Sequence, residues 1–374
     1  MNLRDMVQTL EEIAPLRLAE AWDNVGLLAG DPRQPVRRVL LTVDLTRAVL
    51  AEAKKTQAQL IVAYHPPIWE PLQHIVPGPG PSGLMLELVR NGLAVYAPHT
   101  AWDAARGGVN DLLAKALGLK EARVLQPAAP PAGPPGDFCK LAVFVPEKDL
   151  PRVSEAIFAA GGGRISAASK YGKCSFRTRG TGTFFCGPRS RPTIGQRGKF
   201  EQVDEIKLET VVPRDRLGRA VAAMLAAHSY EEVAYDVYPM LDVPGDVGLG
   251  RVGELEPPAT VPQLIGRIRR ALRVKTVGLI GPRPGRLRRV AVAAGAAGSL
   301  VRQVIRQGCQ FFLTGELNHH HALELREAGV TAACVGHSHS ERLALPHLAA
   351  LLRRRRPGLH VALSRADRDP FTWG

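Results

Sequence analysis

Three short segments, far apart in the chain, carry imidazole and carboxylate groups in the same kind of setting. They are Tyr64-His65-Pro66-Pro67, His99-Thr100-Ala101-Trp102-Asp103 and His337-Ser338-His339-Ser340-Glu341. Each follows an apolar, strand-like run: Leu60–Ala63, Leu93–Ala97 and Thr331–Val335. A fourth run, Phe311–Leu313, leads into Thr314-Gly315-Glu316 and then His319-His320-His321. Neutral imidazole offers one nitrogen lone pair, and a carboxylate chelates one cation or bridges two. Together the clusters hold the donors of a metal site. Two pairs, His99 with Asp103 and His337 with Glu341, are spaced i, i+4, which projects both members to one side of a helical turn. Mixed N/O ligation suits Zn, Mn, Fe or Ni and argues against a Ca or Mg cage. The thiols of Cys309 and Cys334 sit inside apolar runs, where a cysteine acts as a small buried hydrophobe. The triple His319–His321 is a weaker signal, because consecutive helical residues point in different directions. A lone His after a strand is most often structural. The recurrence at four strand exits is what favours a metal.

Those exits need a scaffold. Open α/β sheets place ligands at the carboxyl ends of their strands, and both ends of this chain alternate strand and helix. Segments 1–125 and 244–374 hold every cluster named above, which predicts one α/β core assembled from the N- and C-terminal segments. Two further strands end suggestively: Val39–Val43 runs into Asp44, and Val290–Ala293 runs into the Gly295–Ser299 turn. A Gly-rich turn at a helix start can hold a phosphate, or it can simply allow close packing. Residues 126–138 are Pro/Gly-rich and read as a linker. Segment 139–243 carries an internal repeat. Val145-Pro146, Leu150, Arg152, Ala156 and Ala159-Ala160 recur as Val212-Pro213, Leu217, Arg219, Ala223 and Ala226-Ala227, at a constant offset of 67 residues. Each copy is an apolar strand followed by an amphipathic helix (Leu141–Val145 then Asp149–Ala160; Leu208–Val212 then Arg214–Ala227). Ser175–Thr178 and Thr181–Cys186 read as two strands between the copies. This pattern predicts an inserted ferredoxin-like α+β domain.

Composition narrows the function classes. A chain of 374 residues has room for two or three domains. It has no apolar run of about 20 residues, so no membrane span is expected. The N-terminus opens an amphipathic helix (Met6, Leu10, Ile13) and does not read as a signal peptide. Five cysteines without a C-x-x-C pair fit a reducing cytoplasm. The formal charge of +14 allows nucleic acid as a partner. The excess is nearly all arginine, however, and GC-rich coding, which also inflates Ala, Gly and Pro, explains it as well. The dense run Arg353–Arg356 closes an apolar helical stretch, where cations suit the helix dipole.

The motifs resemble, in order and over nearly the whole length, the family of dinuclear-metal-centre hexameric proteins. These are often labelled type 2 GTP cyclohydrolase I homologues and are related to the NGG-interacting-factor proteins. The resemblance rests on Ala21-Trp22-Asp23-Asn24-Val25-Gly26-Leu27, Tyr64-His65-Pro66-Pro67-Ile68, Pro98-His99-Thr100-Ala101-Trp102-Asp103, Gly107-Gly108-Val109-Asn110, Thr314-Gly315-Glu316 and Gly336-His337-Ser338-His339-Ser340-Glu341-Arg342. The inserted segment, ending in His228-Ser229-Tyr230-Glu231-Glu232-Val233-Ala234-Tyr235-Asp236-Val237-Tyr238-Pro239, is similar to the PII/CutA-like insert of longer members. The resemblance implies two divalent metal ions held by His65, Asp103, His337 and Glu341, in a toroidal homohexamer. Many members carry His-His where this chain has Tyr64-His65, so one expected imidazole is missing. His99 and His320 are the candidates to replace it.

Three readings of function follow. The leading one is a metal-dependent hydrolase acting on a small or nucleotide-like substrate, with His99, His339 and Glu316 as general acid or base. The second is a non-enzymatic metal-binding or metal-delivery scaffold with a ligand-sensing insert. The third is a basic nucleic-acid-binding protein.

Overall fold

A computed structural model of the chain describes residues 1–128, 138–165, 169–240 and 246–373. The chain divides into two compact units, one of residues Met1–Ala129 with Pro244–Gly374 and one of Pro130–Val243. No helix among the described residues is long and apolar enough to cross a membrane.

The first unit begins with α1 (Leu3–Ile13), β1 (Gly26–Ala29), β2 (Arg38–Thr42), α2 (Arg47–Lys55), β3 (Leu60–Ala63), α3 (Pro81–Arg90), β4 (Ala94–Ala97), α4 (His99–Ala104), α5 (Val109–Leu117) and β5 (Leu119–Pro127). Helix α1 starts where the sequence allows, with Asn2 and Asp5 forming a reciprocal capping box. Of the expected linker, residues 129–137 lie outside the described residues, while Gln126 and Pro127 belong to β5 and Phe138 to the next strand.

The second unit follows as β6 (Phe138–Pro146), α6 (Leu150–Ala159), β7 (Ser175–Phe185), β8 (Phe200–Pro213), α7 (Leu217–Ala227) and β9 (Tyr235–Pro239). Its antiparallel sheet has the order β7-β8-β6-β9. Where two strands were expected there is one. The register of β7 on β8 runs unbroken from Ser175↔Thr210 to Phe185↔Phe200. Continuous pairing carries the chain straight through Arg179-Gly180, a step that reads as a break in the sequence alone.

The chain re-enters the first unit with β10 (Gly248–Ala259), α8 (Val261–Leu272), β11 (Gly278–Ile280), β12 (Leu287–Val292), α9 (Val301–Arg306), β13 (Phe311–Thr314), α10 (His319–Glu327), β14 (Thr331–Cys334), α11 (His337–Arg342), α12 (Ala344–Arg355) and β15 (His360–Leu363). Two sheets result, ordered β1-β4-β3-β2-β15 and β11-β14-β13-β12-β10-β5. In the first, β15, β2, β3 and β4 are parallel, so the last strand of the chain pairs with the second. In the second, β12, β13 and β14 are parallel. Strands β3, β4 and β13 are buried at every position, as expected for parallel strands covered on both faces. Leu41 and Val62 pack with Leu3, Met6 and Leu10 of α1 and with Leu348 and Leu352 of α12. Leu40, Ile61 and Val95 pack with Val49, Leu50, Leu84 and Leu88 on α2 and α3. Each such aliphatic side chain contributes roughly 1.5–3 kcal/mol by leaving water. One charged group is buried as well. The Arg251 guanidinium donates to the carbonyls of Gly248 at 2.7 Å and Gly250 at 2.8 Å and pairs with Asp111. It ties the start of β10 to α5, next to the helix that carries Asp103.

Candidate metal centre

The exits of the parallel strands supply the site. His65 stands two residues beyond β3, and its N–H donates to the Val43 carbonyl at 3.0 Å. Asp44 follows β2, and Glu316 follows β13. Gly336, at φ 93°, turns the chain from β14 into α11 and so brings out His337. Glu341 lies one turn further along that short helix and is almost fully buried, at 3% exposure.

Two imidazoles meet on this carboxylate. His337 Nε2 is 3.1 Å from Glu341 Oε1, and His65 Nε2 is 3.3 Å from Glu341 Oε2. The second contact lacks hydrogen-bond geometry: His65 Nε2 and Glu341 Oε2 are both buried without a hydrogen-bond partner. Among the described residues, His65, His337 and Glu341 form a group whose ligand atoms all lie within 4.8 Å of one another. Buried polar atoms are almost always paired, so two unpartnered polar atoms facing each other within a group of potential ligands fit a site that a cation completes once the ring gives up its proton.

The opposite edge of each ring is also fixed. His65 Nδ1 is 2.8 Å from Asp44 Oδ1, His337 Nδ1 is 3.0 Å from Glu316 Oε1, and His99 Nδ1 is 2.8 Å from Asp23 Oδ1. A carboxylate on Nδ1 sets the tautomer, raises ring basicity and leaves Nε2 free to ligate. Glycines make room for the cluster. A Cβ at Gly295 would lie 2.8 Å from Glu341 Oε1 and 3.4 Å from His337 Nε2. The Gly-rich turn after β12 therefore serves close packing against the site.

The electrostatics follow from this pairing. Burial disfavours a charged His65, but the Asp44 hydrogen bond and the Glu341 carboxylate outweigh it and push the imidazolium up to about 10. Glu341 does the same for His337, against burial, up to about 9. Burial raises Glu341 itself, and the two imidazoles more than offset this, leaving it below its ordinary range.

The Tyr64 hydroxyl donates to Asp103 Oδ1. Burial raises Asp103 to about 7; the Tyr64 hydrogen bond opposes that rise and the Glu341 charge adds to it. Burial and the neighbouring carboxylates push the Tyr64 phenol well above its usual range, so it is neutral. Asp103 thus stands beside the three-residue group but faces Tyr64. His99 begins α4 at φ 24°, with its ring centroid 5.2 Å from that of His65. Glu316 is the partner of His337. His339 turns away, with Nδ1 2.9 Å from Asp369 Oδ2 near the C-terminus. Of the His triple, His321 lies against Gly298 and His319 against His320; none joins the donor group. Sequence reasoning gave no role to Asp44, Asp23 or Asp369. Asp44 and Asp23 lie in segments already noted, but nothing in the sequence shows that each faces an imidazole from a distant strand exit.

The comparisons agree with this architecture. The family described as Duf34/NIF3 (NGG1p interacting factor 3) matches residues 1–370. The chain is 34% identical over 375 residues to a Halalkalibacterium halodurans protein named GTP cyclohydrolase 1 type 2 homolog, covering 100% of this chain and 99% of that one. It is also 34% identical to the Bacillus subtilis protein of the same name, over 377 residues, with 100% and 99% covered. Among solved structures, a Bacillus cereus protein related to NIF3 superimposes with a TM-score of 0.74 at 32% identity, covering 100% of this chain and 99% of that one. On the full-length family match and these relatives, the chain belongs to the DUF34/NIF3 family.

Proposed function

We propose that the chain is a metal-dependent hydrolase acting on a small or nucleotide-like substrate. One observation carries the reading: two imidazoles and a buried carboxylate converge, with His65 Nε2 and Glu341 Oε2 unsatisfied. Two His and one carboxylate are the donors of catalytic zinc and of non-haem iron, and manganese and nickel accept the same set. The first of two divalent ions is assigned to His65, His337 and Glu341. The second, weaker position falls to Asp103, which must give up its Tyr64 hydrogen bond to serve it. When bound, a divalent ion supplies Lewis acidity, lowering the pKa of water and stabilising developing negative charge.

The protein's own groups do the rest. Asp44 and Glu316 hold the two ligating rings in one tautomer. Asp23 holds His99 with Nε2 available at the rim, where it carries a proton to or from the substrate. Asp103 and Tyr64 store a proton beneath the site. His339, paired with Asp369, supports the C-terminal segment. The printed name of the curated relatives makes GTP one substrate to test. Two further readings belong with this one. The βαββαβ order of the second unit and its sheet order support an inserted ferredoxin-like, PII/CutA-like domain. The family resemblance supports a homohexamer.

The test is elemental analysis combined with a hydrolysis screen over phosphate, amide and nucleotide substrates. Bound metal with an activity that Glu341→Ala abolishes supports the reading. Metal-free protein, or an activity that survives Glu341→Ala, refutes it.

A further inference from the structure

Of the four tryptophans, Trp22, Trp69, Trp102 and Trp373, the first three surround His99 and Tyr64 beside the metal centre, while Trp373 packs on His339. Trp102 is buried beneath it, against Tyr64 at 6.1 Å. Trp22 and Trp69 are exposed at 61% and 57%. Their ring centroids are 5.6 Å apart and the planes are tilted by 47°, so the pair forms an open V. Both indoles meet His99, at 6.0 Å and 5.5 Å. The loops that carry them are joined by Asn24, whose Nδ2 donates to the Ile68 carbonyl at 2.7 Å.

Exposed large apolar side chains are unremarkable when scattered and informative when grouped. Here the grouping leads inward. From Trp69 to His99 to His65 the ring steps are 5.5 Å and 5.2 Å, so the indoles stand two ring steps from the donor group. Indole faces bind planar rings by stacking and cations by their quadrupole. The nearby carboxylates Asp23 and Asp103 are already taken up by His99, Thr100 and Tyr64, which leaves stacking as the dominant attraction.

We propose that Trp22 and Trp69 form the recognition site for a substrate with a planar heteroaromatic ring, whose polar substituent reaches the metal centre. The proposal deepens the hydrolase reading and rests on it for the part played by the metal.

The experiment titrates zinc-loaded full-length protein with guanosine, adenosine and ribose, followed by tryptophan fluorescence and ligand-observed NMR. The nucleosides bind and ribose does not. Trp22→Ala/Trp69→Ala weakens nucleoside binding roughly 10- to 100-fold, while Trp22→Phe/Trp69→Phe, which keeps a stacking face, retains most of it. Glu341→Ala loses metal yet still binds nucleosides. Should Glu341→Ala keep its metal, the metal assignment fails and the ring site stands. Equal binding of ribose and nucleosides, no nucleoside binding at millimolar concentration, or full binding in the double alanine variant overturns the proposal. So does a double alanine variant that dissociates in native mass spectrometry, because the indoles would then be covered by a second copy.

Discussion

Loading metal into the metal-free protein releases protons, and the number released tests the wiring of the site. An imidazole of ordinary pKa near 6.5 is only about one-tenth protonated at pH 7.5. His65, held up to about 10 by Asp44 and Glu341 against burial, and His337, held up to about 9 by Glu341, are both almost fully protonated there. A metal ion accepts only the neutral ring. Two ordinary imidazoles would give up roughly 0.2 proton together, whereas these two release about two per ion bound. Titration calorimetry at pH 7.5, repeated in buffers of different ionisation enthalpy, reads this number as the slope of observed heat against buffer enthalpy. Glu341→Gln removes the charge shared by both rings and must lower the slope. The sign carries over to stability. Both pKa values are raised on folding, so their stabilisation of the metal-free protein is complete below about pH 6.5 and is lost as pH rises through about 9 to 10. A slope near zero in the natural sequence would mean neutral imidazoles and would refute the proposed pairing with Asp44, Glu316 and Glu341.

Other perturbations read different parts of the account. Gly295→Val places a Cβ 2.8 Å from Glu341 Oε1 at a backbone φ of +62°, and should lower metal affinity tenfold or more while circular dichroism stays near normal; unchanged affinity would show that the carboxylate is not cradled there. Tyr64→His frees Asp103 and restores an imidazole, so metal titration should show a second site tightening; two equal sites in the natural sequence, unaffected by the change, would argue against a weak second position. Replacing residues 130–243 by a short Gly/Ser linker should leave a folded, metal-binding core, because the Ala128 N–H already donates to the Val247 carbonyl at 3.0 Å where the chain leaves and re-enters. An insoluble or metal-free product would show that the two units are interdependent.

Much of the site was legible because strand exits and helical spacing are local. The apolar runs before His65, His99, Glu316 and His337 are strands, and the i, i+4 spacing of His337 and Glu341 does bring their side chains together. At His99 and Asp103 the same spacing brings both side chains to Tyr64, but their hydrogen bonds go to different partners. Both lie on α4, and the sequence does not show that His99 pairs with Asp23 and Asp103 with Tyr64, because those partners come from other loops. The carboxylates on Nδ1 were not legible: Asp44 is 21 residues from His65 and Asp23 is 76 from His99. Nor was the pairing of His339 with Asp369, since a short helix gives no sign of which segment will pack on it. In the second unit, the repeated strand–helix pattern was visible, while the single long β7 depended on a partner strand.

The central claim is that His65, His337 and Glu341 hold a metal ion. It is tested most directly by metal content after reconstitution and dialysis, measured by inductively coupled plasma mass spectrometry. The account predicts bound metal in the natural protein and in His339→Ala and His360→Ala, with strong depletion in His65→Ala, His337→Ala and Glu341→Ala. Equal metal content in all six proteins, or none in the natural one, would contradict it.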